Sequence, residues 1–187
     1  MRVIAGSARG RKLDRPTGKI VRPTADRVKE ALFSVLLSRF GSFEGLVVLD
    51  LFAGSGGLGI EALSRGVAKA TFVDSHPESI KLTRNNLSLT GFHDSATLFL
   101  MDASKALKRF FTEGRLFDII FVDPPYSDKE LSKIIIKLLA DQAILSSGGV
   151  IVFETDSRSE LTLPDNILLS SRKVYGDTSL CFLELTG

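Results

Sequence analysis

The sequence is poor in the residues that build disulfide and metal sites. Its 187 residues include one cysteine, two histidines and no tryptophan. One cysteine excludes an internal disulfide framework, and together with two histidines it is too few for a structural zinc cluster. No apolar run approaches the length of a membrane-spanning helix, and the first residues lack the apolar core of a signal peptide. We therefore expect a cytoplasmic protein with no bound metal and no membrane association.

Net charge is also low, at +2, but it is unevenly distributed along the chain. Residues 1–30 contain nine lysines and arginines against three acidic residues, a net charge of +6, so the remaining residues carry −4. A basic segment attached to a mildly acidic body favours a polyanionic partner. The alternative is a charged terminus that is merely solvated.

Beyond residue 46 short apolar runs alternate with amphipathic segments. The predicted strands cover residues 47–52, 70–74, 97–101, 117–122 and 149–154. The predicted helices cover residues 58–65, 77–89, 103–112 and 128–140. This alternation predicts an α/β fold with a parallel sheet covered by helices on both faces. Two further strand-like runs, 167–175 and 179–185, predict a terminal antiparallel hairpin at the sheet edge.

The first 40 residues form an extension to this pattern. Residues 2–5 and 11–14 predict a small hairpin, and apolar residues at helical spacing predict a helix over 25–39. The chain contains no internal repeat, low-complexity segment or linker. We therefore predict a single domain over 1–187, with residues 1–40 as a basic extension and helix and residues 41–187 as the core.

A glycine-rich loop follows the first predicted strand. Gly54, Gly56 and Gly59 fit the pattern G-x-G-x-x-G, which alone is weak because any tight strand-to-helix turn needs glycines. Asp50 precedes this loop, where a carboxylate would repel the pyrophosphate of a dinucleotide but attract a cationic ligand. S-adenosylmethionine is such a ligand, since it carries an ammonium and a sulfonium group. A nicotinamide-dependent oxidoreductase is the alternative.

Four predicted strands end in an acidic residue. These residues are Asp50, Asp74, Asp102 and Asp123. Ligands of open α/β sheets bind at the carboxyl ends of the strands, so we expect the four side chains to line one crevice. Asp74 is placed to hold ribose hydroxyls and Asp102 to accept from an adenine amino group. For any one of them, a helix cap or turn residue is an equally good interpretation.

The strand predicted over 117–122 ends in Asp123-Pro124-Pro125-Tyr126. Two consecutive prolines cannot continue a strand, so the chain leaves the sheet there with a carboxylate, a rigid turn and an aromatic ring. We interpret this tetrapeptide as the place where a planar amino group is held for reaction. The alternative is a rigid exit turn in which Asp123 only caps the next helix.

Together these motifs resemble the class I S-adenosylmethionine-dependent methyltransferases, and more narrowly the bacterial RsmD-type 16S rRNA guanine-N2 methyltransferases. The resemblance covers essentially the whole chain, with its most specific parts in residues 22–33, 50–62 and 123–126. It implies a Rossmann-like, mostly parallel seven-stranded sheet with helices on both faces, a C-terminal antiparallel hairpin and a small N-terminal hairpin and helix. It also implies methyl transfer from S-adenosylmethionine to the exocyclic N2 amino group of a guanine in 16S rRNA.

The resemblance also implies roles for individual residues. The methionine part of the cofactor would be held by Asp50 and the loop from Phe52 to Gly56, the ribose by Asp74, and the adenine by Asp102 and Ala103. The implied cofactor-binding set is thus Asp50, Phe52, Ala53, Gly54, Ser55, Gly56, Asp74, Ser75, Asp102 and Ala103. The implied catalytic group is Asp123, Pro124, Pro125 and Tyr126. Because this tetrapeptide type serves both guanine N2 and adenine N6, an adenine-N6 nucleic-acid methyltransferase is the nearest alternative.

The basic extension is interpreted as the part that grips RNA phosphates. The predicted RNA-binding residues are Arg9, Arg11, Lys12, Arg22 and Arg27. Arg27 and Lys29 have an alternative in pairing with acidic neighbours on their own helix, and Glu61 is expected at the surface of its helix. The implied partner is 16S rRNA or the assembling small ribosomal subunit, with a monomeric enzyme favoured. We expect removal of residues 1–20 to weaken RNA binding and to leave cofactor binding unchanged.

Overall fold

The computed structural model describes residues 1–15, 26–125 and 128–186. The helices of this part are α1 (Asp26–Phe40), α2 (Gly57–Ser64), α3 (Pro77–Thr90), α4 (Ala103–Thr112) and α5 (Lys129–Asp141), with a short 3₁₀ helix at His93–Ser95. The strands are β1 (Val47–Asp50), β2 (Lys69–Asp74), β3 (Ala96–Leu100), β4 (Phe117–Val122), β5 (Leu145–Asp156), β6 (Ile167–Tyr175) and β7 (Thr178–Leu185). Every strand and helix predicted beyond residue 46 is confirmed, as is the helix before it, although some bounds differ by up to four residues; the 3₁₀ helix was not expected.

The seven strands form one sheet in the order β3-β2-β1-β4-β5-β7-β6. β1 to β5 run parallel, and β7 runs antiparallel between β5 and β6. The predicted fold class is therefore confirmed, including the C-terminal antiparallel hairpin. The strand order reverses between β1 and β4, and open α/β sheets bind their ligands at the carboxyl ends of the strands at such a switch point.

Two apolar layers cover the sheet. Leu32 of α1, Ile60 of α2 and Leu87 of α3 pack in one buried cluster, and Phe110 of α4 and Leu139 of α5 pack in the other. Because successive residues of a strand point to opposite faces, the largely apolar central strands β1 and β4 supply side chains to both layers. None of the helices in the described ranges is long and apolar enough to cross a membrane.

Residues 1–15, here called the N-terminal arm, are joined to the first of these layers. The predicted hairpin is present in short form, with a single antiparallel bridge between Arg2 and Lys12. Val3, Ala8 and Leu13 are buried in the same cluster as α1, α2 and α3. The arm therefore contributes apolar side chains to the core, while residues 16–25, with the predicted RNA contact Arg22, lie outside the described residues.

Candidate active site

The four aspartates predicted from the strand ends lie along one edge of the sheet. Asp50 ends β1, Asp74 ends β2, Asp102 follows β3 and Asp123 follows β4, and these four strands are parallel neighbours. Asp50 is close enough to Asp74 and Asp123 for their charges to interact. The sequence pattern therefore located a single acidic edge at the switch point between β1 and β4.

Asp50 is the most buried of the four. Its side chain is 3% exposed, and its Oδ2 accepts a hydrogen bond of 3.0 Å from the Gly59 amide in the first turn of α2. The pKa of Asp50 is raised to about 7, because the effect of burial, with a smaller contribution from the charge of Asp74, outweighs the lowering by the hydrogen bond from Gly59. Within the described ranges, no basic side chain forms an ion pair with Asp50. A cationic ligand would supply the missing positive charge.

Asp74 fixes the glycine loop to the end of β2. Its Oδ2 accepts from the Gly54 amide at 2.9 Å, and its Oδ1 accepts from the His76 amide at 2.9 Å. Gly54 and Gly56 have backbone φ angles of 54° and 78°, which residues other than glycine rarely adopt. A Cβ on Gly56 would also lie 2.9 Å from Cγ2 of Thr83. The loop is therefore tight, held in place and free of side chains at these two positions.

Asp102 and Ser75 lie at the starts of the following helices. Asp102 caps α4, since its Oδ1 accepts from the amides of Ser104 and Lys105 at 2.9 and 3.2 Å. Ser75 is exposed, and its Oγ lies 3.2 Å from Nδ1 of His76. Asp102 is thus a helix cap at the predicted adenine position, and its contact with adenine stays a prediction, as does the contact of Ser75.

Asp123 is half-buried at the end of β4. Burial raises the pKa of its carboxyl group well above the usual range, and the negative charges of Glu154 and Asp50 raise it further. Pro124 is buried and Pro125 is exposed, whereas Tyr126 lies outside the described residues. Asp123 is therefore held among acidic neighbours in an environment that disfavours its ionised form.

The residue that caps α5 is not Asp123. Asp128 has this role, because its Oδ1 accepts from the Leu131 amide at 2.9 Å. The Asp128 amide in turn donates to the carbonyl oxygen of Pro125 at 2.9 Å, which closes the turn after the two prolines. The interpretation of Asp123 as a cap for the next helix is therefore wrong.

Comparison with known proteins assigns the chain that carries this acidic edge to a family. The family model described as "Conserved hypothetical protein 95" matches residues 1–184. The chain is 36% identical over 181 residues to "Ribosomal RNA small subunit methyltransferase D" of Escherichia coli, covering 96% of this chain and 87% of that one. It is 38% identical over 190 residues to YlbH of Bacillus subtilis, a candidate rRNA methyltransferase, covering 100% of both. The chain belongs to this RsmD-type family.

A solved structure agrees with this membership. The Escherichia coli protein yhhF, solved as a candidate methyltransferase, superposes with a TM-score of 0.83 at 34% identity, covering 99% of this chain and 97% of that chain. This RsmD-type chain is a methyltransferase, and it shares its fold with S-adenosylmethionine-dependent methyltransferases. The oxidoreductase alternative is therefore wrong.

The acidic edge of the RsmD-type chain fits S-adenosylmethionine. The buried Asp50 carboxylate, which has no basic partner within the described ranges, would hold the cationic methionine part of the cofactor. The loop from Gly54 to Gly56 carries a single side chain beside it, that of Ser55, because the other two residues are glycines. Asp74 lies next to this loop, with Phe52 half-buried and Ala53 buried at the exit of β1. These contacts remain predictions for the individual residues.

Glu61 was predicted at the surface, and this prediction is wrong. Its side chain is fully buried, and its carboxylate accepts from the amides of Ile4 and Ala5 at 2.8 and 3.0 Å. It also pairs with Arg65 at 2.8 Å and with Lys29 at 3.3 Å. A carboxylate in the middle of the apolar segment Gly57–Ser64 was the available signal, because a buried acid must be paired.

Lys29 likewise does not pair with a neighbour on its own helix. It is 1% exposed, and its Nζ donates to the Arg2 carbonyl oxygen at 2.7 Å as well as to Glu61. Burial lowers the pKa of Lys29, and the nearby Glu61 carboxylate opposes this effect. Lys29 is therefore a structural residue between α1 and the arm.

Glu154 is a second residue that sequence reasoning missed. Val122 of β4 pairs with Phe153 of β5, so Glu154 occupies the next position beside Asp123. It is 7% exposed, and its charge contributes to the raised pKa of Asp123. Its position near the end of the predicted strand 149–154 was the signal, since the other strands also end in acidic residues.

The predicted RNA-binding residues that the structure describes are exposed. The surface residues are Arg9, Arg11, Lys12 and Arg27. They lie on the arm and at the start of α1, whose apolar residues are buried beneath them. The chain thus presents a basic surface on elements that pack against the helix following the glycine loop.

Proposed function

We propose that this RsmD-type enzyme methylates the exocyclic N2 amino group of a guanine in 16S rRNA of the small ribosomal subunit. The names of its relatives support ribosomal RNA as the substrate, and the exposed basic residues of the arm support an RNA partner. The observation that carries the proposal is the position of Asp123 at the end of β4, beside the buried Asp50 where the cationic cofactor fits.

The chemical difficulty is that an exocyclic amino group has its lone pair delocalised into the base. In this proposal the Asp123 carboxylate and the Pro124 carbonyl accept hydrogen bonds from the two N–H groups and draw the nitrogen toward a tetrahedral geometry. Pro125 stiffens the turn that directs both acceptors, and the Asp128 amide closes that turn. Bound S-adenosylmethionine supplies a methyl group on a positively charged sulfur. Rate enhancement then comes from positioning and preorganised acceptors.

Asp123 also has a reason to accept the proton that the methylated nitrogen loses. Burial and the charges of Glu154 and Asp50 raise its pKa, and a carboxylate with a raised pKa is a stronger base. Tyr126 is proposed to stack on the target base, which is typically worth about 1–3 kcal/mol. The base must leave its own stack to reach this edge.

The target base is tested by mapping the product. Small subunits and free 16S rRNA that lack the modification are incubated with the enzyme and methyl-labelled S-adenosylmethionine, and the digested nucleosides are separated by mass spectrometry. We expect labelled N2-methylguanosine at a single position. Labelled N6-methyladenosine would instead support the adenine-N6 alternative, because the same two acceptors suit that amino group.

The role of Asp123 is tested by Asp123→Ala. We expect methyl transfer to fall by about 100-fold or more, because a preorganised acceptor is lost, while S-adenosylmethionine binding measured by calorimetry is retained. Asp128→Ala is the matched control: it removes the α5 cap, costs about 1 kcal/mol of stability and leaves transfer intact. Full activity of Asp123→Ala would remove the residue from the mechanism.

A further inference from the structure

Asn86, in α3, connects the N-terminal arm to the glycine loop. The side chain is fully buried. Its Oδ1 accepts from the Asp14 amide at 2.8 Å, and its Nδ2 donates to the Asp14 carbonyl oxygen at 3.2 Å. The same Nδ2 donates to the Ser55 carbonyl oxygen at 2.9 Å. One amide group therefore contacts both the backbone of the arm and the backbone of the cofactor loop.

These three bonds require the chemistry of a carboxamide. Both N–H groups of Asn86 are used as donors, and its oxygen is used as an acceptor. An aspartate at this position would present a second oxygen to the carbonyl groups of Asp14 and Ser55. An alanine would leave the same partly buried backbone groups without this partner, which is costly.

The loop is held from behind by a second residue of the same helix. The Thr83 hydroxyl donates to the Gly54 carbonyl oxygen at 3.0 Å. Thr83 and Asn86 are three positions apart, so they lie on the same face of α3 and bind two consecutive carbonyl groups of the loop. Asn86 differs from Thr83 because it binds the arm as well as the loop.

The arm has an independent anchor on α2. Glu61 accepts from the amides of Ile4 and Ala5, and Ser64 Oγ donates to the Ala5 carbonyl oxygen at 2.6 Å. Gly6 passes so close that a Cβ there would lie 1.7 Å from the Ser64 carbonyl oxygen. Loss of the bonds at Asn86 would therefore remove the link between residue 14 and Ser55 of the loop, while residues 4–8 of the arm and the Gly54 end of the loop keep their own bonds.

We propose that Asn86 is a positioning residue through which the docked arm holds the glycine loop in the conformation that binds S-adenosylmethionine. The arm then has two roles, because it presents basic residues at its surface and supports the cofactor loop through Asp14. Coupling of this kind is reciprocal: whatever strengthens docking of the arm strengthens cofactor binding, and the cofactor strengthens docking of the arm by the same factor. Removal of residues 1–20 should therefore weaken cofactor binding, contrary to the expectation from sequence.

The first test compares two adjacent asparagines of α3. Asn86→Ala should weaken S-adenosylmethionine binding by about tenfold or more, as expected for the loss of a buried hydrogen-bonded group, when measured by calorimetry well below the unfolding temperature. Asn85→Ala is the matched control, because Asn85 is exposed and its neighbour is buried. A merely structural role for Asn86 would lower the unfolding temperature and leave the dissociation constant of the folded protein unchanged, which would overturn the proposal.

The second test uses the unaltered protein and no RNA. Hydrogen exchange is measured by mass spectrometry on peptides covering residues 10–15, with and without saturating S-adenosylmethionine. We expect the cofactor to slow exchange in these peptides, and to lose this effect in Asn86→Ala. Unchanged exchange in the native protein would overturn the proposal even if the variant does not fold. Neither measurement depends on which base is methylated.

Discussion

The aspartates at the strand ends share a position but differ in what they do. Asp102 caps a helix and Asp74 binds the glycine loop, so each carboxylate already accepts hydrogen bonds from backbone amides of the fold. Asp50 is buried with one bond from a backbone amide, and Asp123 is half-buried among acidic neighbours. The carboxylates with raised pKa values are thus the two on β1 and β4, where the strand order reverses.

The raised pKa of Asp50 predicts a pH-dependent stability for Asp50→Asn. The folded protein holds a proton on Asp50 up to about pH 7, whereas an unfolded aspartate loses it near pH 4. The native Asp50 therefore lowers stability as pH rises from about 4 to 7. Without cofactor, we expect Asp50→Asn to have a larger free energy of unfolding than the native protein. The difference should be up to about 4 kcal/mol at pH 8 and small at pH 3.

Urea unfolding at a series of pH values measures this difference. The surface replacement Asp94→Asn serves as the control and should leave the free energy of unfolding nearly unchanged. The same Asp50→Asn protein should bind S-adenosylmethionine more weakly, because the carboxylate that faces the cation is gone. A variant that binds the cofactor normally at pH 8 would show that Asp50 does not contact its cationic part.

Glu61 links three elements through one buried carboxylate. It accepts from the arm at Ile4 and Ala5, from Lys29 of α1 and from Arg65 at the end of its own helix. Such a cluster is favourable only when all its members are present, because a buried charge without its partner is costly. The arm, α1 and α2 are therefore expected to lose stability together.

The corresponding prediction is that Glu61→Gln destabilises the protein by about 3 kcal/mol, because Lys29 remains buried without a negative partner. The midpoint of urea unfolding measures the effect, with the exposed Glu78→Gln as the control. Adding Lys29→Met should recover part of the loss, since the unpaired charge is then removed. A change below about 1 kcal/mol would mean that water replaces the lost interactions.

At the scale of the whole molecule, the N-terminal arm turns its apolar side chains to the core and its basic side chains to the surface. Val3, Ala8 and Leu13 of the arm are buried against the helices of one face, whereas Arg9 and Lys12 are exposed. The basic residues are therefore carried on a docked element next to the helix that follows the cofactor loop. We expect such a surface to bind phosphates in a defined position.

Salt dependence tests this surface. Replacing Arg9, Arg11 and Lys12 together by alanine should lower RNA affinity and reduce the slope of log affinity against log salt concentration by about 2, since each single-stranded phosphate contact contributes about 0.7. The control replaces three exposed lysines elsewhere, Lys108, Lys137 and Lys173. Equal slopes for the two triple variants would show that net charge, rather than the arm, attracts the RNA.

The local sequence pattern was sufficient to predict the helices and strands and to locate the acidic edge of the sheet. Apolar residues repeat with the period of a strand or a helix, so each element could be predicted from its own segment. Parallel strands place their carboxyl ends together, so residues such as Asp50 and Asp123 could be assigned to one edge without coordinates. The family resemblance supplied the number of strands and the methyl-transfer activity, whereas the order of the strands came from the structure.

The partners of the buried polar groups could not be predicted in this way. Asn86 and Asp14 are 72 positions apart, and Glu61 and Ile4 are 57 positions apart. Helical spacing places Glu61 in a helix, but the burial of its carboxylate depends on the arm folding over it. The choice between cap, surface charge and buried pair therefore depends on contacts between distant segments, which arise only once the helices and the arm have packed on the sheet.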